Sequence, residues 1–271
     1  MFQWQKNMNK TLNYHNNKIF YRVIGNGKPV VLIHGFGEDG NIWKTQAVQL
    51  KGNYNLIIPD LPGSGQSEMI DDMSMEGLAE IIHAIIHEEK AEACPVIGHS
   101  MGGYITLALV NKYPELVSAF GLFHSTSFAD SEEKKAARRK GIDFIREYGG
   151  FEFLKSVIPN LFSEYSKQQI PHIIKEFIEQ QHNFSAEALV RYYEAMMQRP
   201  DRTEQLRKAG VPVLFIMGKY DNAVPLADSL KQCHLPEKSY IHILQNSGHM
   251  GMLEEPERCN RILEEFLLLT R

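Results

Sequence analysis

A single serine lies between two glycines in the run Gly-His-Ser-Met-Gly at residues 98–102. Val96 and Ile97, just before it, are typical of the end of a short buried strand, and the apolar residues 103–110 after it are typical of a helix. A serine at such a corner takes a strained, left-handed conformation that holds its hydroxyl at the tip, and the flanking glycines avoid a collision across the turn. The run predicts a nucleophile elbow at Ser100. In the alternative reading, Ser100 only caps the helix.

The composition is that of an ordinary soluble globular protein. A chain of 271 residues can bury one large core, or one core with a small inserted domain. The formal net charge of −4 gives no electrostatic reason to expect nucleic acid or an anionic membrane as a partner. Cys94, Cys233 and Cys259 are odd in number and lack metal-ligand spacing, so we expect buried free thiols and no disulfide framework.

The sequence favours a cytoplasmic location. Residues 1–10 are polar and lack the apolar core of a signal peptide. No apolar run reaches the roughly 18 residues that a membrane span requires. We expect a monomer or a homodimer that acts on a small-molecule acyl substrate. The basic stretch at residues 134–140 is expected to form a solvated helix face with local charge pairing.

Strand-like and helix-like runs alternate over the first third of the chain. Strand-like runs lie at residues 11–15, 18–24, 30–33 and 55–58. Helical spacing of apolar residues is found at residues 41–50 and 75–88. The first two strands are separated by Asn16 and Asn17, which suits a hairpin, and the next two are apolar on both faces, as in buried parallel strands. This order predicts an α/β fold with a mostly parallel sheet.

The pattern changes after a strand-like run at residues 119–123. From residue 128 to residue 199 there is no strand signal, only apolar stripes at helical spacing. The alternation resumes at residues 211–218, and a last strand at residues 240–244 precedes a helix at residues 256–269. We therefore expect residues 128–199 to form a helical cap over the carboxyl ends of the strands. Residues 1–127 and 200–271 would then form the core.

A serine hydroxyl needs a base to become a nucleophile at neutral pH, and the base needs an orienting acid. Asp221 follows the strand that ends near residue 218, and His249 follows the last strand. Their order after Ser100 is the one expected for this elbow. Asp221 has an alternative role as a cap ahead of residues 224–225.

At this point the sequence resembles the α/β-hydrolase family over nearly its whole length. The resemblance rests on motifs at residues 34–37 (His-Gly-Phe-Gly), 60–67 (Asp-Leu-Pro-Gly-Ser-Gly-Gln-Ser), 98–102, 218–225 and 247–256. It implies a mostly parallel, eight-stranded-type sheet flanked by helices, and no metal or organic cofactor. It also implies Ser100 as nucleophile, His249 as general base and then general acid, and Asp221 as its orienting group. The backbone N–H groups of Phe36 and Met101 would form the oxyanion hole.

Several other residues are expected to have roles outside the catalytic triad. Asp60 is the rival acid, but the resemblance implies a structural role for its loop. His34 is expected to shape its loop, and His99 is expected only to pack. Trp43, Tyr104 and Phe128 are candidate lining residues of the acyl pocket, with ordinary core packing as the alternative for each.

The serine at the elbow excludes several types of reaction, but it leaves several classes of substrate open. A serine at position 100 disfavours relatives that use aspartate there, such as haloalkane dehalogenases and epoxide hydrolases, and the motif also departs from the Gly-Gly-Ser-Trp-Gly of prolyl iminopeptidases. Ester hydrolysis, C–C bond hydrolysis of meta-cleavage products, thioester or lactone hydrolysis and perhydrolase-like activity remain. Since the cap shows no obvious basic cluster toward the site, we favour a small to medium, largely uncharged carboxylic ester cleaved through an acyl-enzyme. A non-catalytic ligand-binding receptor on the same fold is the alternative of another class.

Overall fold

The computed structural model describes residues 7–270, which form one eight-stranded sheet flanked by helices. The absence of a signal peptide was predicted from residues 1–10, and residues 1–6 of that segment lie outside this range. The strands are β1 (Asn7–Tyr14), β2 (Asn17–Gly25), β3 (Lys28–Ile33), β4 (Tyr54–Pro59), β5 (Cys94–His99), β6 (Val117–Phe123), β7 (Val213–Gly218) and β8 (Ser239–Leu244). The predicted α/β fold with a mostly parallel sheet is confirmed.

The strand order is β1-β2-β4-β3-β5-β6-β7-β8. β1 pairs antiparallel with β2 and β2 with β4, and every later neighbour is parallel. The hairpin turn lies one residue earlier than expected, because Tyr14 pairs with Asn17 and leaves His15 and Asn16 at its centre. Both have positive φ, 48° and 69°, as a two-residue hairpin loop requires.

Helices cover both faces of the sheet. They are α1 (Lys44–Leu50), α2 (Met75–Glu88), α3 (Met101–Lys112), α4 (Glu132–Tyr148), α5 (Gly150–Val157), α6 (Glu164–Gln169), α7 (Pro171–Gln180), α8 (Ala186–Gln198), α9 (Thr203–Arg207), α10 (Leu226–Leu230), α11 (Gly251–Glu254) and α12 (Pro256–Leu269). α2 buries the apolar stripe that predicted it and begins where the Ser74 side chain accepts a hydrogen bond from Gly77 N. α2 and α3 pack together against one face of the sheet, and α1 and α12 against the other.

The long helical segment between β6 and β7 contains α4 to α8 and covers the ends of two strands. Tyr192 donates a hydrogen bond to Pro62 O at 2.5 Å and lies 2.9 Å from Ser64 Oγ, in the loop after β4. The Tyr193 ring stacks on Phe36, in the loop after β3, with centroids 4.4 Å apart. These contacts place the segment over the carboxyl edge of the sheet. Its boundaries as a separate cap domain stay a prediction.

The two ends of this segment meet. Arg202 N donates a hydrogen bond to Ser127 O at 2.8 Å, and the Arg199 guanidinium donates to Phe128 O at 2.9 Å. The chain thus leaves the sheet and returns to it at one place. Within residues 7–270, no helix is both long enough and apolar enough to cross a membrane. Cys94, Cys233 and Cys259 are free and buried, as expected.

Candidate active site

The elbow has the predicted geometry. β5 ends at His99, α3 begins at Met101, and Ser100 between them is half-buried with φ 49° and ψ −114°. A Cβ on Gly98 would collide with the carbonyl of Gly102. A Cβ on Gly102 would lie 2.5 Å from Ile33 O. Only glycine lets the strand, the turn and β3 approach this closely.

Two backbone amides lie beside this serine without protein acceptors. The loop after β3 passes so close that a Cβ on Gly35 would be 3.2 Å from Ser100 Cβ. Over residues 7–270, neither Phe36 N nor Met101 N donates a hydrogen bond. Met101 is also the first residue of α3, where the helix dipole favours negative charge. The role of these two amides as oxyanion donors stays a prediction.

The structure brings Asp221 and His249 together at the carboxyl ends of β7 and β8. His249 Nδ1 lies 2.8 Å from Asp221 Oδ2, and both side chains are buried. This contact fixes the imidazole and leaves Nε2 as the nitrogen that can accept a proton. Within the described residues, no hydrogen bond joins Ser100 Oγ to His249 Nε2, and such contacts are often long before substrate binds.

Asp221 also has the capping role that was its alternative. Its Oδ1 accepts hydrogen bonds from Ala223 N at 2.9 Å and Val224 N at 2.8 Å. Its Oδ2 faces His249 and also His124 Nδ1, which lies 3.1 Å away. Burial raises the pKa of Asp221, but the two imidazoles outweigh it and hold that pKa well below its usual range. The carboxylate is therefore a permanent anion at neutral pH.

Opposing forces act on His249. Burial lowers the pKa of His249, whereas the charge and hydrogen bond of Asp221 raise it, with smaller contributions from Glu38 and Glu254. The net effect raises the pKa above its ordinary value of 6.5. The ring is thus a stronger base than an exposed histidine.

A carboxylate at the end of α11 holds the backbone on both sides of His249. Glu254 Oε1 accepts hydrogen bonds from Gly248 N at 2.9 Å and Met250 N at 3.0 Å. Glu254 Oε2 accepts one from Ser163 N, in the helical segment, at 2.9 Å. The Glu-Glu-Pro motif at residues 254–256 therefore anchors the base loop to the segment above it.

Three buried polar side chains at the site were not predicted to contribute to it. Glu38 follows β3, and His124, with φ 49°, follows β6. Burial lowers the pKa of His124, although Asp221 opposes this effect. The expectation that His99 only packs is wrong, because its Nδ1 lies 3.0 Å from Glu38 Oε2 and its Nε2 3.0 Å from His249 O. Position after a strand was a signal for Glu38 and His124, but their partners depend on tertiary structure.

The rival acid has a different set of partners. Asp60 Oδ1 accepts hydrogen bonds from Gly40 N at 2.9 Å and Arg22 Nη1 at 2.5 Å. Its Oδ2 accepts one from Gln66 N at 3.0 Å. His34 Nε2 accepts a hydrogen bond from Leu61 N at 2.9 Å. Both residues shape loops, as expected.

The three candidate pocket residues lie in different surroundings. Trp43 is fully buried, with its ring edge-on to Phe123 at 5.5 Å. Tyr104 is also buried, and the Arg199 guanidinium lies 3.8 Å from its ring centroid. Phe128 is half-buried, and its carbonyl accepts a hydrogen bond from Arg199. A contact with substrate stays a prediction for each of them.

In the helical segment, two arginines lie beside one buried carboxylate, an arrangement that was not predicted from the sequence. Arg138 Nε donates to Asp130 Oδ2 at 2.6 Å, and Arg199 Nη1 lies 2.9 Å from Asp130 Oδ1. The Arg138 guanidinium lies 5.1 Å from the centroid of the Tyr193 ring, which stacks on Phe36. The basic stretch is thus not wholly solvated, because Arg138 turns inward to a buried carboxylate. That carboxylate offsets one of the two positive charges.

Among the described residues, His124, Asp221 and His249 form a group that could hold a metal ion, with ligand atoms within 4.8 Å of one another. Both imidazoles already face Asp221 Oδ2, and His124 Nε2 has no partner. An ion between them would have to displace the contact that orients His249. The arrangement fits a hydrogen-bonded acid–base site better than a metal centre.

Comparisons with known proteins agree with this geometry. Residues 30–262 match the sequence profile of the group described as the "Alpha/beta hydrolase family". The chain is 29% identical to the 2-hydroxy-6-oxo-6-(2'-aminophenyl)hexa-2,4-dienoic acid hydrolase of Metapseudomonas resinovorans over 88% of this chain and 83% of that protein. It is 26% identical to the pimeloyl-[acyl-carrier protein] methyl ester esterase of Aeromonas salmonicida, over 90% and 96% of the two chains. A thermophilic esterase from Thermogutta terrifontis, solved with malate bound, superposes with a TM-score of 0.90 at 26% identity, over 98% and 99% of the chains.

Proposed function

Because the chain belongs to the alpha/beta hydrolase family, we propose that it is a serine hydrolase that cleaves a small to medium, largely uncharged carboxylic ester. Ser100 is the nucleophile, His249 the general base and Asp221 the orienting acid. The observation that carries this proposal is the buried Asp221–His249 contact of 2.8 Å, at the same edge of the sheet as Ser100 with its left-handed backbone.

The proposed reaction has two halves. In the first, His249 Nε2 removes the Ser100 proton while Oγ attacks the ester carbonyl, and the oxyanion accepts hydrogen bonds from Phe36 N and Met101 N. The imidazolium then protonates the leaving alcohol, and an acyl-enzyme remains. In the second half, His249 activates water, which releases the acid and restores Ser100. Losing one oxyanion donor typically costs about 3 kcal/mol of barrier, but both donors here are main chain.

The names of the relatives bear on which type of bond the protein cleaves. One relative is named as a methyl ester esterase and the structural neighbour as an esterase, which favours an ester. Another is named as the hydrolase of a 2-hydroxy-6-oxo-hexadienoic acid. We therefore retain hydrolysis of a C–C bond in a meta-cleavage product as the second candidate, with lactone and thioester hydrolysis behind it.

The decisive variant is Ser100→Ala. We expect it to lower kcat for a short p-nitrophenyl ester by at least about 1,000-fold, because without Oγ no acyl-enzyme can form. Ser156→Ala, in α5, is the matched control and should keep wild-type turnover. Wild-type turnover by Ser100→Ala would refute the assignment.

A substrate panel separates the remaining alternatives. The proposal predicts kcat/KM values that peak at a short or medium acyl chain and fall for a meta-cleavage-type diketo acid. The reverse order would favour C–C hydrolysis. A receptor would instead release a single burst of product without steady turnover, and Ser100→Ala would bind the ligand with unchanged affinity.

A further inference from the structure

Glu38 and His99 form a buried pair that lies between the loops of the proposed site. The two residues are 2% and 0% exposed. Glu38 Oε2 accepts a hydrogen bond from Gly35 N at 2.7 Å and lies 3.0 Å from His99 Nδ1. His99 Nε2 lies 3.0 Å from the carbonyl oxygen of His249. One oxygen and one imidazole thus connect the loops after β3, β5 and β8.

Each connection falls on a proposed catalytic residue or on its chain neighbour. Gly35 precedes Phe36, whose amide is a proposed oxyanion donor, and His99 precedes Ser100. The third contact is to the backbone of His249 itself. Since the His99 ring is rigid, these contacts set the distances among oxyanion donor, nucleophile and base.

The number of protons follows from the chemistry of the partners. A backbone carbonyl only accepts hydrogen bonds, so His99 Nε2 must carry a proton to donate to His249 O. Glu38 Oε2 already accepts from Gly35 N and lies within hydrogen-bond distance of His99 Nδ1. Burial raises the pKa of Glu38, but the charge and hydrogen bond of His99 and the Gly35 amide outweigh it and lower that pKa. The contact between Glu38 Oε2 and His99 Nδ1 needs one further proton, so the hydrogen bonds of the pair use two protons in all.

We propose that Glu38 and His99 form a buried hydrogen-bonded pair that positions the oxyanion loop, the elbow and the His249 loop relative to one another. Both are positioning residues, because neither touches the reacting atoms. The inference rests on the proposed function, but the proton on His99 Nε2 can be detected without any substrate.

Glu38→Gln tests these hydrogen bonds with little change in shape. A neutral imidazole carries one proton, so opposite an amide oxygen it can donate to position 38 or to His249 O but not to both. Turning the NH2 group of the amide toward Nδ1 instead leaves Gly35 N without its acceptor, so one contact is lost in either case. We expect kcat to fall about 10- to 100-fold, the size associated with misplacing reacting groups by about 1 Å, while KM changes less than about threefold. Glu204→Gln is the matched control, because Glu204 is exposed and its carboxylate pairs with Arg207 in α9.

A double variant supplies the rescue. In Glu38→Gln/His99→Gln the pair is neutral, the amide at position 99 can donate to His249 O, and the amide oxygen at position 38 can accept from Gly35 N. We expect it to recover at least about threefold in kcat over Glu38→Gln, since coupled neighbours are non-additive. A Glu38→Gln enzyme within twofold of wild type, or a double variant no more active than Glu38→Gln, would overturn the proposal.

Nitrogen NMR of the ¹⁵N-histidine-labelled wild-type protein gives a readout free of catalysis and of variant folding. We expect the Nε2 nitrogen of His99 to carry a proton at pH 7, because its partner is a carbonyl oxygen that can only accept. An Nε2 nitrogen without a proton overturns the proposal even if the kinetics follow expectation. An active Ser100→Ala enzyme would instead refute the proposed function and leave the NMR result standing, so the two failures are distinguishable.

Discussion

At the scale of single residues, His249 shows how burial and charge compete. Its ring has lost most contact with water, which alone would favour the neutral form, yet Asp221 at 2.8 Å favours the charged form and prevails. The same carboxylate binds His124 and two backbone amides, so its charge is well satisfied. A general base of this kind is strong, but it works only when the solution leaves it unprotonated.

The raised pKa of His249 predicts the acid limb of the activity profile. Because the base must be neutral, kcat/KM should rise with pH through a midpoint above 6.5, the ordinary value for histidine. Initial rates between pH 5 and pH 9 with a neutral ester give this midpoint. Asp221→Asn removes the charge that raises the pKa and should move the midpoint to lower pH while lowering the plateau. A wild-type midpoint below 6.5 would contradict the proposed role of the Asp221 charge.

The sequence predicted the position of a residue in the fold where its residue type is tied to a local turn. Ser100, Asp221 and His249 stand at strand ends in recognisable runs, and the structure places each there. Glu38 and His124 are not marked in this way. Their roles depend on partners 61 and 97 residues away, and on which side each ring faces. Only the folded chain defines such contacts.

At the scale of elements, close backbone approaches hold the site together. A Cβ on Gly248 would lie 2.6 Å from Leu161 O and 2.8 Å from Ser163 N. The base loop therefore lies directly against the helical segment. Because His249 N also donates to Leu161 O at 2.6 Å, any movement of this contact moves the base.

Gly248→Ala tests this approach. We expect it to lower the free energy of unfolding by about 1–3 kcal/mol, the usual cost of overpacking, and to reduce kcat/KM as the loop shifts. Urea denaturation and ester hydrolysis measure the two effects. Gly210→Ala is the matched control, because a Cβ there meets nothing within 4 Å. Equal stability of the two variants would show that the loop is free to move away.

Long, periodic elements were predicted well, and short ones were missed. α2 and α12 have the bounds that their apolar spacing indicates. α9, α10 and α11 contain only four or five residues, too few for a helical period to show in sequence. The hairpin turn was predicted at Asn16 and Asn17 but lies at His15 and Asn16, because these two residues have the left-handed conformation.

At the scale of the whole molecule, buried carboxylates link stability to pH. Burial raises the pKa of Asp130, but Arg138 and Arg199 outweigh it and hold the pKa below its ordinary value of 3.8. A carboxyl group with a lower pKa in the folded state stabilises the protein above its unfolded pKa, and this contribution is lost as the pH falls through the folded pKa. Asp221 acts in the same direction.

We therefore expect the free energy of unfolding to fall as the pH drops below about 4. Asp130→Asn should cost about 3 kcal/mol at pH 7, because it leaves one buried and one half-buried guanidinium group without their anion, and it should flatten the acid slope. Urea titrations from pH 3 to pH 8 measure both effects. Asp228→Asn, at an exposed ion pair with Lys231, should change neither.

The meeting of residues 127 and 202 has a consequence for how such a molecule can diversify. A segment whose two ends are joined by a hydrogen bond already forms a closed loop, and the entropy of closing a loop grows only logarithmically with its length. Doubling the segment would cost only about 0.6 kcal/mol of closure entropy, and a short turn could bridge the same gap. The sheet, the elbow and the base loop can therefore be retained while the helical segment above them is replaced by a longer or shorter one.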